Sequence, residues 1–432
     1  SITVDNVSAS DSDGISGMLT LDATGNSSNI VFETVASTFN SLTAKADDGI
    51  SLSVDLTTDT GDMILEADSD NSADSNDKIF LSGARTLTSA ANMTLDATSN
   101  TGIEADSTLV LSSVGNLNIN DNLTTDGVTT IDVDSDDSGV GNLTLATSMT
   151  IDTQNSAATI TANDIILDGS LSTGTGALNL LVSDGGTIGL GDADKDYDLS
   201  KAELSRIVSG ATQIGDVTSG SITVDNVSAS DSDGISGILT LDATGNNSNI
   251  VFETAASVFN SLTAKADDGI TFTADLTTDT GDMVLEADSD NTADTAVTGD
   301  RIFLSGARTL TSAGNMTLDA TSNTGIVANS TLTINAVDNL TINDNLTTTG
   351  TTTIDVDSDD SGVGNLNLAT SMTIDTQNST ATITANDIVL DGSLSTGTGA
   401  LNLLVSDGGT IGLGDADKDY DLSKAELSRI TS

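Results

Sequence analysis

Ile50-Ser51-Leu52-Ser53-Val54 alternates apolar and polar residues, and the same pattern returns 220 residues later as Ile270-Thr271-Phe272-Thr273-Ala274. A period of two is the signature of a β-strand with one buried face. Between the two versions the polar positions change only between Ser and Thr, while Leu52 grows to Phe272 as Val54 shrinks to Ala274. Roughly conserved volume is what a packed interior tolerates best. Ile50, Leu52 and Val54 are therefore predicted to face inward, and Ser51 and Ser53 outward. Val110, between Leu109 and Leu111, becomes Thr333, as an outward residue can.

Working outward from this strand, the whole chain proves to be duplicated. Ser1 to Ser16 recurs unchanged at Ser221 to Ser236, and Gly185 to Ile207 recurs at Gly408 to Ile430, 223 residues on. The three extra residues enter between Asn71 and Ile79, where the second copy reads NTADTAVTGDRIF, so a surface loop is expected there. Two repeats follow, 1–220 and 221–432. Within each, short alternating runs such as Met93/Leu95, Leu117/Ile119 and Leu178/Leu180/Val182 are separated by Gly, Asn and Asp turns. Two-residue hairpin turns and Greek-key spacing are missing. Stacked coils of two or three strands bury one face of each strand and pair each coil with the next. The expected fold is all-β, an elongated right-handed parallel β-helix (solenoid), since right-handed crossovers are the rule. At ~4.8 Å per coil, the two copies would form a rod on the order of 100 Å long.

Composition agrees with a thin, aliphatic interior. In 432 residues there is no Pro, Cys, His or Trp, and there are only 2 Tyr and 7 Phe. Without His or Cys there is no imidazole base, no thiolate and no nitrogen or sulfur zinc site. Paired carboxylates act in glycoside hydrolysis, but the pairs recur in both copies and sugar-stacking aromatics are few, so the chain is read as not an enzyme. With 65 acidic and 12 basic residues the net charge is −53. Nucleic acid and anionic membranes are poor partners for such a surface, and divalent cations are natural ones. Only seven of the acids are Glu, and Asp belongs to turns and hard-cation sites. No apolar run is long enough to span a bilayer. The first residues carry no signal-peptide pattern, and the second copy stops before a counterpart of the 210–220 connector. The chain is thus expected to be one piece of a longer array.

The sharpest local motif is Asp192-Ala-Asp194-Lys-Asp196-Tyr-Asp198-Leu-Ser200-Lys-Ala-Glu203, repeated as Asp415, Asp417, Asp419, Asp421 and Glu426. Its acids stand at positions 1, 3, 5, 7 and 12 of a calcium loop, which makes these ten residues the candidate Ca2+ ligands. Tyr197 occupies the position where such a loop has Gly, and a strand rather than a helix precedes it. The competing reading is a capping box, Ser200-x-x-Glu203, opening a short helix near the end of each copy with Leu199, Ala202, Leu204 and Ile207 on one side. Other acidic clusters, Asp132–Gly139, Asp68–Asp70, Asp11–Gly14 and Asp47–Gly49, read mostly as solvated turns. Arg85 reads as a surface residue bonded to a neighbouring turn. Asn6, Asn26, Asn92, Asn122 and Asn142 head glycosylation sequons.

Ala211-Thr-Gln-Ile-Gly215-Asp-Val-Thr-Ser-Gly220-Ser-Ile-Thr-Val224, the repeated Gly-Asn-Leu-Thr-Leu units, and Ile188-Gly-Leu-Gly-Asp followed by Leu-Ser-Lys-Ala-Glu-Leu resemble the large β-strand-repeat exoproteins related to filamentous haemagglutinin. The resemblance covers almost the whole chain through low-complexity motifs. It implies a right-handed parallel β-helix, secretion to the extracellular space or cell surface, and an adhesive or matrix role. The near-perfect duplication and the calcium-like loop depart from that pattern and favour a filament, sheath or surface-layer component whose partners are copies of itself. An adhesin stalk is the alternative.

Overall fold

The computed structural model describes residues 1–71, 76–97, 102–290, 299–320, 325–416 and 418–432. They form two compact units, one of Ser1–Gly186, Asp196–Gln213 and Gly234–Ser236, the other of Thr187–Lys195, Ile214–Asp233 and Gly237–Ser432. Each is a parallel β-helix. The three-residue insertion of the second copy lies among 291–298, outside the described residues.

A coil of the first unit has three short strands, for example Ile50–Leu52, Leu56–Thr58 and Met63–Glu66, followed one coil later by Ile79–Leu81, Arg85–Ser89 and Met93–Asp96. These strands pair in parallel with their equivalents on the next coil, as in Ile50↔Ile79, Leu56↔Leu87 and Met63↔Met93. The first strands build one ladder from Ile2–Val4 to Ile207–Val208, and the third strands another from Leu19–Ala23 to Asp164–Leu167. The second unit repeats the scheme with Ile270–Phe272, Leu276–Thr278 and Met283–Glu286, and then Ile302–Leu304, Arg308–Ser312 and Met316–Asp319. Its register, Ile270↔Ile302, Leu276↔Leu310 and Met283↔Met316, matches the first.

Such pairing puts like on like. Ile30, Ile50, Ile79 and Ile103 stack along one corner with no exposed area, so each isoleucine lies against another of the same shape. Leu52 and Val54 are buried and their outward neighbours are exposed. The Leu52 to Phe272 exchange has a local cause as well. Phe32 pairs with Leu52 in the first copy, whereas in the second Phe252 pairs with Phe272 and their rings stack at 4.8 Å, 3° from parallel. Offset aromatic pairs contribute about 0.5–1.5 kcal/mol beyond area burial.

Corners are finished by hydroxyls that point inward, not outward. Thr58 donates to the Gly61 carbonyl at 2.7 Å, Ser89 to that of Asn92 at 2.9 Å and Ser113 to that of Gly115 at 3.0 Å. All three side chains are buried, and these bonds tie the hydroxyls to carbonyls where the chain turns, so that none of the three is left without a partner. Gly49 shows why some corners admit only glycine. Its φ is +92°, and a Cβ there would lie 2.1 Å from the Asn76 carbonyl oxygen.

Candidate functional site

The repeated acidic loop folds by two competing local rules. Ile411–Gly414 and Tyr420–Ser423 are strands that pair in parallel through Ile411↔Tyr420 and Leu413↔Leu422, and Tyr420 and Leu422 of the second turn toward the core. Tyr420, at the place a calcium loop reserves for Gly, is fully buried, as is Tyr197 in the first copy. Burial pushes both phenols well up, with the charges of Asp387 and Glu426 around Tyr420, and of Asp164 and Glu203 around Tyr197, adding to it. An aromatic anchor therefore replaces the sharp turn of a cation loop.

The carboxylates are spent on separate tasks. Ser200 caps the helix Lys201–Leu204, and Glu203 completes the capping box by accepting from the Ser200 amide at 3.0 Å and hydroxyl at 2.7 Å. Its other oxygen accepts from the Leu167 amide at 3.0 Å, which ties the cap to the preceding coil. Glu426 does the same with Ser423 and the Leu390 amide. The helix ends at Leu204, and Ile207 belongs to the strand Ile207–Val208 instead. Asp198 and Asp421 lie outward on their strands, with their amides donating to Asp164 and Asp387 at 3.0 and 2.9 Å. Asp192 accepts from Asn226 at 2.6 Å, while Asp415 pairs with Lys424. Asp419 accepts from the amide and hydroxyl of Thr410, which hold it below the usual carboxylate range. Asp194 and Asp196 flank Lys195 in the turn, and Asp417 lies outside the described residues. Among the described residues, no three carboxylates converge as a metal cage.

Two features go beyond what was read from the sequence. The cluster around Asp134, expected to be a solvated turn, holds a fully buried carboxylate with φ +64°. Asp134 accepts from the Ser138 amide and hydroxyl at 2.9 Å, the Gly139 amide at 2.8 Å and the Ser183 hydroxyl at 2.7 Å, 49 residues away. Burial alone would raise its pKa, but these bonds outweigh burial and hold it low. Asp357 repeats the arrangement with Ser361, Gly362 and Ser406.

The second is a ladder of amides. Asn92 donates from amide and side chain to Asp62, Asn116 does so to Asn92, Asn142 donates from its amide to Asn116, and Asn163 from its side chain to Asn142, all at 3.0–3.3 Å. Asp282, Asn315, Asn339, Asn365 and Asn386 form the same ladder in the second unit. The repeated Gly-Asn-Leu-Thr-Leu units were its signal.

One surface recess distinguishes the copies. About 240 Å³ in volume, it is lined by Phe80, Glu104, Asp106, Thr124, Asp126 and Gln154. Lys78 sits 4.9 Å from the Phe80 ring centre and 2.6 Å from Glu104. In the second copy, Val327, Asn329 and Thr349 replace the three acids. An acidic cleft confined to one copy was not expected; it arises because strands 20 residues apart stack directly.

A scan against protein-family models found no match to this chain, and searches of curated proteins and of solved structures found none either. Among the described residues no helix is long and apolar enough to cross a membrane.

Proposed function

We propose that this chain is an extracellular structural repeat protein that assembles into a fibre, sheath or surface layer. The observation that carries this reading is the spending of chemistry on cohesion. Glu203, Asp134, the Asn92 series and their twins, residues that could have formed sites, are committed to caps, staples and ladders between coils. A scaffold needs that pattern twice over, whereas an active site needs one constellation held ready for substrate. Cations act in this picture as diffuse counter-ions to the −53 charge, spread over the exposed loops. Electron microscopy and fibre diffraction of the purified chain test the proposal. Ordered assemblies with a meridional reflection near ~4.8 Å are expected; dispersed particles at every salt concentration and protein load would overturn it.

A second reading, an adhesin stalk, is favoured by the recess at Glu104, Asp106 and Asp126, where one copy carries surface chemistry that its twin lacks. Immobilised amine-bearing ligands would be retained by the first copy's recess in that case, and Asp126→Thr would release them.

A further inference from the structure

Buried carboxylate oxygens without a hydrogen-bond partner gather at one corner of the coil. Asp68, expected in a solvated turn, follows the third strand Met63–Glu66 and is 2% exposed, yet among the described residues neither of its oxygens has a partner. Asp96 ends the third strand of the next coil. Its Oδ2 accepts from the Asn120 side chain at 3.1 Å, and its Oδ1 is buried with no partner among the described residues. Asp121 follows the third strand after that, Leu117–Ile119, and its Oδ1 accepts from the Asn122 amide at 2.8 Å.

The stacking of third strands brings these acids together. Glu66 pairs with Asp96, the Ala67 amide donates to the Asp96 carbonyl at 2.9 Å, and the Asn120 amide donates to the Leu95 carbonyl at 2.9 Å. Their charges reach one another. Burial raises the Asp121 carboxyl, the Asn122 amide pulls it down, and the charges of Asp96 and Asp68 push it up again. The lysines nearest in sequence, Lys45 and Lys78, are committed to Glu66 and Glu104 instead. The second unit repeats the corner. Asp288 is 2% exposed, Asp319 accepts from the Asn343 side chain at 2.9 Å through Oδ2 while its Oδ1 is buried without a partner among the described residues, and Asp344 lies within reach of both charges. A buried carboxylate persists when it is paired, hydrogen-bonded or bound to a metal, and Asp68 has neither of the first two.

We propose that each unit binds one calcium-sized divalent cation at this corner, with Asp68 and Asp96 as its ligands in the first unit and Asp288 and Asp319 in the second, and with Asp121 and Asp344 holding it through water. Only carboxylate oxygens are offered, which suits a hard cation. Calcium takes roughly six to eight oxygens in flexible geometry and keeps waters among them. It therefore needs no closed protein cage, and none is formed among the described residues. Magnesium demands a regular octahedron and gives up water reluctantly, so carboxylates fixed to stacked strands select against it. The ion is distinct from the diffuse counter-ions of the exposed loops and from the Asp192–Glu203 motif, and by bridging third strands it ties successive coils. This goes beyond the scaffold reading and does not depend on it, since a bound ion joins coils whether or not molecules assemble.

Isothermal titration calorimetry of the chelator-stripped 432-residue chain with calcium chloride, in roughly 0.15 M potassium chloride to screen the loops, tests it. Two equivalents of calcium are expected to bind saturably, and the melting temperature to rise with calcium but not with magnesium or added potassium chloride. Asp68→Asn removes one equivalent, and Asp68→Asn with Asp288→Asn removes both along with the melting shift. In chelator these variants melt no lower than the unaltered chain, because each removes a buried charge. Asp121→Asn keeps two equivalents and weakens one of them about 10–100-fold. Asp192→Asn with Asp415→Asn leaves both sites intact. Heat that never saturates, as diffuse counter-ions alone would give, or two equivalents retained by the Asp68→Asn, Asp288→Asn chain would overturn the proposal. So would loss of binding in the Asp192→Asn, Asp415→Asn chain, which would move the ions to that motif, and a lowered melting temperature in chelator with calcium uptake unchanged, which would leave Asp68 a structural role alone.

Discussion

The inward and outward faces of the same strands have diverged between the copies by different rules. Inside, Leu52 and Val54 become Phe272 and Ala274, two changes that offset each other in volume and leave all four residues buried. Outside, Glu104, Asp106 and Asp126 become Val327, Asn329 and Thr349, with charge lost and no compensating charge gained nearby. The register of these coils is thus held by volume on one face and is indifferent to charge on the other. A close-packed interior resists single changes because neighbours cannot relax fully.

The hardest way to break this comparison is to place charge on the inward face. Ile103→Asp buries an unpaired carboxylate in a column of isoleucines, and a loss of more than about 4 kcal/mol is expected, enough to unfold the coils around it. Glu104→Val on the adjacent outward position copies the second repeat, and its effect is expected to stay within about 0.5 kcal/mol. Urea denaturation of the two variants gives the contrast, and comparable losses would refute the assignment of faces.

A sharper test separates volume from contact. Phe272→Leu alone leaves a void beside Phe252 and removes the ring stack, so about 1–3 kcal/mol is expected to be lost. Ala274→Val alone overfills the coil by about 1–3 kcal/mol. Together they rebuild the first copy's interior, and the double variant should lose at least about 0.5 kcal/mol less than the sum, a coupling that a double-mutant cycle measures. Strict additivity would show that the two exchanges are unrelated.

How much of this was legible depends on where the alternation holds. The strands, their buried face and the coil stacking follow from Ile50 to Val54 and their twins, because period two reports directly on the pleat. Polar corners do not obey it. Thr58, Ser89 and Ser113 look like outward residues by type, yet they turn inward to meet carbonyls at the bends of the chain. The Asp192–Glu203 motif was legible as a cation loop or a capping box; the box is formed, and the further bond of Glu203 to the Leu167 amide was not legible because coil stacking sets it rather than spacing. Asp134 was illegible for the same reason, since Ser183 reaches it from 49 residues away.

Asp134 and Asp164 make opposite predictions for pH. Asp134 and Asp357 lie below the ordinary 3.8 in the folded chain, so the stability they contribute is complete above pH 3.8 and drains as pH falls through their folded values. Asp164 and Asp387 are raised, chiefly by burial and then by the neighbouring Glu203 and Glu426, so their ionisation opposes folding and protonating them restores stability above pH 3.8. Melting temperature is therefore expected to rise on mild acidification from neutrality and to fall steeply below about pH 3.8. Asp134→Asn, which leaves the Ser138, Gly139 and Ser183 donors poorly matched, should lose about 1–3 kcal/mol near neutral pH and flatten the acid limb. A melting temperature that declines steadily from pH 7 would contradict the assignment of Asp164 and Asp387, and one that stays level below pH 3.8 that of Asp134 and Asp357.

The smallest effect lies on the outward face, where the copies share an ion pair of different quality. Lys45 meets Glu66 at 2.6 Å, whereas Lys265 stands 3.6 Å from Glu286, and all four side chains are partly exposed. Pairs of this kind contribute about 0–1 kcal/mol because solvent screens them and two long side chains lose freedom to meet. Lys45→Met and Lys265→Met should each cost less than about 1 kcal/mol, with the first the larger and both fading as salt is added. The aliphatic stem of methionine still covers the strand beneath it, so what vanishes is charge alone. A salt-independent loss above 1 kcal/mol would mean that the outward face carries packing energy after all, and the division between the two faces would have to be redrawn.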